Sequence, residues 1–189
     1  MTPDISDAQV LRDDAAVAVA VPAQRASARF MLRHPSRWIA LGLGSGLSPW
    51  APGTVGTLWA WLSFLVLDRW LGDLQWGLVL LAALALGVWA CARTAQDLGI
   101  ADPGAIVWDE VVAFWLVLWL VMPTGLVGQA VAFALFRFFD AAKPGPVRWA
   151  DRRFKHARGW RQGWGILFDD LVAALCTLLV IGLWRFVWP

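Results

Sequence analysis

Acidic side chains stand beside apolar runs at three points of the sequence, where their spacing suits metal chemistry. The five residues are Asp109, Glu110, Asp140, Asp169 and Asp170. Capping explains one acid at a helix start, because the helix dipole stabilises a carboxylate there by about 0.3–1 kcal/mol. It explains two adjacent acids beside a lipid-facing run less well, because an unpaired charge is costly there. A set of oxygen ligands without His or Cys favours Mg²⁺, so we predict a magnesium site formed by these five residues.

Basic side chains accompany the middle acid of this set. Arg137, Lys143 and Arg148 surround Asp140 within a short segment, and the prolines of its K-P-G-P stretch should keep that backbone out of a helix. A general excess of Lys and Arg on the cytoplasmic side of a membrane would explain them without any specific role. Acids, metal and cations at one place are, however, what is needed to clamp and transfer a phosphoryl group. We therefore predict that the three cations hold a phosphate.

An uncharged loop, G-S-G-L-S-P-W-A-P-G-T at 44–54, is a further candidate for anion binding. Its glycines permit close backbone approach, and its N–H groups and hydroxyls can donate to phosphate without adding charge. The alternative is an ordinary linker, in which Pro52 and Gly53 form a turn and Thr54 caps the next helix. The residues predicted to bind substrate in this loop are Ser45, Ser48, Gly53 and Thr54.

Apolar helices must position these residues. The chain has 189 residues, of which 59% are hydrophobic and 16% charged, whereas soluble domains average about 25% charged residues. No stretch alternates with period two, so we predict an all-α fold. We expect a multi-pass membrane bundle of about four to five helices; the alternative is a soluble all-α protein with an unusually apolar core. The uncharged runs that predict the helices cover 38–67, 74–92, 111–136 and 171–184.

The distribution of charge predicts how the bundle lies in the membrane. The run 111–136 contains Pro-Thr-Gly at 123–125, and a turn there would return the chain to the side from which it came. With that hairpin, 14 of the 16 basic residues face one side, which the positive-inside rule identifies as the cytoplasm. We therefore predict a cytoplasmic N-terminus and a cytoplasmic-face site that gathers all the unusual polar motifs.

The remaining features add few constraints. Residues 1–27 are predicted to be a weakly ordered tail without a cleavable signal peptide, and 28–189 a single membrane-embedded domain. Cys91 and Cys176 lie in apolar runs without C-x-x-C spacing and are predicted to be buried free thiols. We expect a lipid-membrane partner and no nucleic acid, and the oligomeric state stays open.

Four motifs, taken in order, resemble the phosphatidylglycerophosphatase A family of bacterial membrane phosphatases. They are the loop at 44–54, I-V-W-D-E, F-R-F-F-D-x-x-K-P-x-P-x-R and G-x-G-I-x-x-D-D, between about residues 40 and 180. The resemblance implies Mg²⁺-dependent hydrolysis of phosphatidylglycerophosphate to phosphatidylglycerol and inorganic phosphate at the cytoplasmic face of the inner membrane. The family's polar positions are then filled by Asp109, Glu110, Arg137, Asp140, Lys143, Arg148, Asp169 and Asp170.

This resemblance implies a mechanism with some roles left open. Water activated by the metal, or a carboxylate such as Asp140, would attack phosphorus. The expected catalytic residues are Asp109, Asp140, Lys143 and Asp170. Two alternatives are a phosphatase for another lipid phosphate, such as phosphatidic acid, and a small transport or assembly protein whose acids would lie in mid-span.

Overall fold

The computed structural model describes residues 26–155 and 157–188, and all regular secondary structure in these residues is helical. This confirms the predicted all-α class, whereas residues 1–25 of the predicted tail lie outside the described range. A 3₁₀ segment covers Gly42–Leu47. The α-helices of the described residues are α1 Ala28–Met31, α2 Pro35–Ala40, α3 Pro52–Leu67, α4 Asp73–Leu98, α5 Trp108–Val121, α6 Leu126–Ala142, α7 Gly145–Phe154 and α8 Trp160–Val187.

The long apolar run is split into a helical hairpin, as its Pro-Thr-Gly stretch predicts. Helix α5 ends at Val121 and α6 begins at Leu126, with a cis peptide bond before Pro123. The two helices fold back on each other, because Arg137 near the end of α6 lies 3.6 Å from Glu110 at the start of α5. The hairpin therefore brings two of the predicted polar motifs to the same end of the molecule.

Helix α5 is the centre of the bundle and is packed by its neighbours on nearly every side. The ring of Phe114 packs with its centroid 5.5 Å from that of Phe136 of α6, and both side chains are fully buried. The indole N–H of Trp115 donates to the carbonyl of Ala60 in α3 at 3.0 Å, which satisfies a polar group inside the core. Because α5 is held from several directions, the acids in its first turn have a fixed position.

Helices α4 and α8 cross closely at Gly163. A methyl group on this residue would lie 2.0 Å from the carbonyl oxygen of Val88, so only glycine permits the contact. This packing extends α8 toward its N-terminus, and the helix begins at Trp160. The uncharged run 171–184 predicts a helix that starts just after Asp169 and Asp170, and this prediction is wrong, because both residues lie in the third turn of α8.

Two of the described helices, α4 and α8, are long and apolar enough to cross a bilayer, with mean hydropathies of 1.9 and 2.3. Each exposes leucines at helical spacing, and α3 is a shorter apolar helix. Contiguous exposed apolar faces of this kind are typical of surfaces that meet lipid or another protein. The fold thus supports association with a membrane. The exposed leucines are Leu74, Leu78 and Leu81 on α4, and Leu175, Leu179 and Leu183 on α8.

The two cysteines are free, as predicted. Cys91 is buried against the α8 side of the bundle, as predicted, whereas Cys176 is only half-buried.

Candidate active site

Three carboxylates converge where the start of α5 meets the third turn of α8. Asp109, Glu110 and Asp170 each offer an oxygen, and these oxygens all lie within 4.8 Å of one another. Asp109 is half-buried, whereas Glu110 and Asp170 are buried. This trio is called the carboxylate cluster below. It contains three of the five residues predicted to hold a metal.

The carboxylate cluster contains oxygens that nothing else in the described part of the protein satisfies. Asp109 Oδ1, Glu110 Oε2 and Asp170 Oδ2 are buried and have no hydrogen-bond partner there. A buried polar atom without a partner costs about 1–3 kcal/mol, and more if it is charged. The same three residues bring one carboxylate oxygen each to within 4.8 Å of the others, and such an oxygen donor set is the kind of site that Mg²⁺ occupies. The predicted cofactor therefore fits the residues present.

Arg137 links the carboxylate cluster to two other helices. Its Nη1 donates to Asp140 of α6, lies 3.6 Å from Glu110 Oε1, and donates to Thr57 Oγ1 at 3.4 Å. The Thr57 hydroxyl in turn donates to the carbonyl of Gly53 at 2.8 Å. Thr57 is fully buried and was missed by the sequence analysis, although it lies one helical turn after Gly53. Asp140 thus reaches the site as the partner of Arg137.

Gly53 brings the start of α3 close to Glu110 of the carboxylate cluster. A Cβ atom there would lie 2.2 Å from Glu110 Oε1 and 3.1 Å from Arg137 Nη1. The backbone of the predicted substrate-binding loop therefore lies directly against Glu110 and Arg137 at this residue, an approach that glycine permits because it has no side chain.

The other residues predicted in this loop have different neighbours. The Ser45 hydroxyl donates to the carbonyl of Gly42 at 2.8 Å, and the Ser48 hydroxyl donates to the carbonyl of Trp50 at 2.7 Å. Thr54 lies inside the first turn of α3, which begins at Pro52. It is therefore not the helix cap that the linker interpretation expected. Substrate binding by Ser45, Ser48 and Thr54 stays a prediction.

Lys143 is held by two carboxylates in a strained backbone conformation. It ends α6 in the left-handed region at φ 43, and its Nζ lies 2.5 Å from Asp151 Oδ1 and 2.6 Å from Asp169 Oδ2. Burial alone would lower the pKa of Lys143, but the hydrogen bonds to Asp151 and Asp169 raise it above its usual range. The ammonium group therefore stays charged, and Asp169 is engaged with it outside the carboxylate cluster.

The segment after Lys143 is more helical than its prolines suggested. Helix α7 begins at Gly145 and carries Pro146 in its first turn, where proline is tolerated. Asp151 of α7 is missing from the predicted site because, in the sequence, it is a single acid between basic residues. Arg148 is exposed on α7 and forms no ion pair with any residue that the structure describes. Its predicted contact with phosphate stays a prediction.

Fold and site together define a class of protein. It is an apolar helical bundle with a buried carboxylate cluster flanked by a paired arginine and a paired lysine, a composition suited to phosphate esters. The sequence profile of the phosphatidylglycerophosphatase A family matches residues 38–185, and the chain belongs to that family. The resemblance noted from the four motifs is thereby confirmed.

Curated relatives cover nearly the same range. Phosphatidylglycerophosphatase A of Escherichia coli K12 is 36% identical over 164 residues, which is 87% of this chain and 91% of the relative. The protein of the same name from Haemophilus influenzae is 36% identical over 81% of this chain and 90% of its own length. A Bacteroides thetaiotaomicron protein, named as a proposed phosphatidylinositol-3-phosphatase, is 36% identical over 79% of this chain and 92% of its own length. No solved structure matches the chain.

Proposed function

We propose that the protein is a lipid phosphatase that removes the terminal phosphate of phosphatidylglycerophosphate, giving phosphatidylglycerol and inorganic phosphate in phospholipid biosynthesis. The observation that carries this function is the buried carboxylate cluster with its unsatisfied oxygens, placed beside Arg137 in a member of this family. Two relatives that cover most of the chain are named phosphatidylglycerophosphatase A.

The carboxylates and the two cations have different roles in binding the phosphate monoester. The carboxylate cluster would hold Mg²⁺, which when bound neutralises phosphate charge and activates water. Contacts with Asp140, Glu110 and Thr57 hold the positively charged guanidinium of Arg137 beside the carboxylate cluster. Lys143 presents a second cation from the end of α6, and Asp151 and Asp169 fix its position. Such preorganised charges stabilise the negative charge of the phosphoryl group during transfer.

We further propose that the protein is a multi-pass protein of the bacterial inner membrane with its site at the cytoplasmic face. The two helices that are long enough to span, and the apolar α3, support insertion. The carboxylate cluster lies at the end of the hairpin that carries the basic segment 137–161, and a basic flank favours the cytoplasmic side. Anionic lipid substrate would therefore meet cations where it reaches the site.

The test uses purified full-length protein in detergent with phosphatidylglycerophosphate, assayed with Mg²⁺ and with excess EDTA. We expect phosphate release with Mg²⁺ and its loss with EDTA. Asp170→Asn should abolish release while the helical circular dichroism stays unchanged, whereas Asp68→Asn, at the far end of α3, should keep it. Absence of release with any divalent ion would refute the phosphatase function.

A second candidate is a phosphatase for a different lipid phosphate. It is favoured by the relative whose name points to a phosphoinositide phosphate. The same assay with phosphatidic acid and phosphatidylinositol 3-phosphate separates these substrates. The transport alternative expected acids inside a span, and Asp170 does lie within α8, but it joins acids at the start of α5 and the family match favours the enzyme.

A further inference from the structure

A cavity of about 440 Å³ lies next to the Lys143 ion pairs. It is formed by the end of α7, the first turns of α8, and Ala101 and Asp102 in the segment that precedes α5. Its polar lining consists of Asp102, Asp151, Lys155, Gln162 and Asp169.

The cavity borders the ion pairs of Lys143 and lies one residue along α8 from the carboxylate cluster. Asp151 and Asp169 line it, and both bind the Nζ of Lys143. Asp169 is also the chain neighbour of Asp170, whose carboxylate belongs to the cluster. A phosphate ester held between the carboxylate cluster and Lys143 would therefore direct the next part of its headgroup toward this cavity.

The charge of the lining decides what kind of group fits. Asp102, Asp151 and Asp169 carry three negative charges, and Lys155 of the lining and the adjacent Lys143 carry two positive ones, so the surroundings of the cavity are slightly negative. The lining is rich in hydrogen-bond acceptors, because carboxylates only accept. Gln162 donates its Nε2 to the carbonyl of Ala101 at 2.8 Å, which leaves its own carbonyl oxygen as a further acceptor. A second phosphate would face like charges here, whereas an uncharged hydroxylated group would find partners.

We propose that this cavity binds the glycerol unit between the two phosphates of the lipid headgroup, and that Asp102 and Gln162 accept hydrogen bonds from its hydroxyl. The proposal rests on the proposed function, whose substrate contains this unit. It makes the cavity a specificity site, because phosphatidic acid has no such hydroxylated link.

The experiment compares kcat/KM for phosphatidylglycerophosphate and for a deoxy analogue in which propane-1,3-diol replaces the glycerol link. The wild-type protein should prefer the hydroxylated lipid by at least about tenfold, because a site built to bind a hydroxyl leaves its polar groups unpaired with the analogue. Asp102→Ala should bring the ratio toward one, and Asp102→Asn, which keeps a carbonyl acceptor, should retain most of the preference.

Controls separate this inference from the proposed function and from misfolding. Asp73→Asn changes an exposed aspartate at the opposite end of α4 and should keep the wild-type ratio. Gln162→Leu is a second variant that should also lower the ratio. Equal hydrolysis of both lipids by the wild-type protein, or a wild-type ratio in both Asp102→Ala and Gln162→Leu, would overturn the inference alone. Release of phosphate from neither lipid would overturn the proposed function and this inference with it.

Discussion

At the scale of single residues, two uncharged residues, Gly53 and Thr57, help to fix the positions of the charged groups of the site. Gly53 contributes only the absence of a side chain, and Thr57 contributes one hydroxyl between a carbonyl and a guanidinium. Neither residue performs chemistry, yet both set where Glu110 and Arg137 lie. Misplacing a catalytic group by about 1 Å can cost about 100-fold in rate, so such residues are sensitive points.

The first expectation concerns Gly53→Ala. The new methyl group would overlap Glu110 Oε1 at 2.2 Å, so the carboxylate must move. We expect phosphate release to fall at least about tenfold, measured as kcat in detergent, because the displaced oxygen belongs to the carboxylate cluster. The matched control is Gly104→Ala, where a methyl group would meet nothing within 4 Å. Equal activity of the two variants would contradict the close approach at Gly53.

The second expectation concerns Thr57→Val, which keeps the shape of the side chain and removes the hydroxyl. Arg137 would lose its acceptor at the buried Thr57, and a hydrogen bond to a charged group contributes about 1.5–3 kcal/mol, so we expect kcat/KM to fall by about tenfold or more. Thr57→Ser keeps the hydroxyl and should restore most of the activity.

Thr177→Val provides the control for this substitution. Thr177 is also buried and also donates to the carbonyl four residues before it, but it lies two turns beyond Asp170 along α8. Its loss should change stability without a specific effect on kcat/KM. A similar loss of activity in both variants would mean that Thr57 acts on folding alone.

At the scale of helices, a close contact at Gly163 determines how α8, which carries Asp169 and Asp170, packs against α4. Gly163→Ala should separate α8 from α4, because the methyl group would lie 2.0 Å from a backbone oxygen that cannot turn away. We expect the melting temperature to fall by several degrees, since about 1 kcal/mol corresponds to about 2–4 °C in a chain of this size. Gly182→Ala, in an open part of the same helix, should leave it unchanged.

The helices themselves were largely predictable, and their contacts were not. The start of α5 at Asp109–Glu110 and the break at Pro123 follow from local rules, because acids favour the first turn and proline ends a helix. The start of α8 was missed because its first turns are stabilised by tertiary packing at Gly163. The pair between Lys143 and Asp151 depends on a left-handed residue that turns α7 back, and sequence spacing carries no signal for it.

At the scale of the whole molecule, the direction of insertion decides whether substrate can reach the site. Arg69→Cys and Arg158→Cys replace exposed arginines, one in the α3–α4 connection and one before α8. In intact cells, and with Cys91 and Cys176 replaced by alanine, a membrane-impermeant maleimide should label the first variant and not the second. The second should be labelled after the inner membrane is opened, and the reverse pattern would place the site outside the cytoplasm.

The unsatisfied oxygens of the carboxylate cluster have a consequence for the stability of the whole bundle. If Asp109, Glu110 and Asp170 hold Mg²⁺ only in the folded chain, binding of the ion is coupled to folding and stabilises the folded state. Saturation at 100 times the dissociation constant then adds about 2.7 kcal/mol to the free energy of unfolding. A titration of melting temperature against Mg²⁺ would measure affinity without any turnover, and Asp170→Asn should flatten that curve. Cellular magnesium would thus act as a folding ligand that determines how much of the protein survives in the membrane.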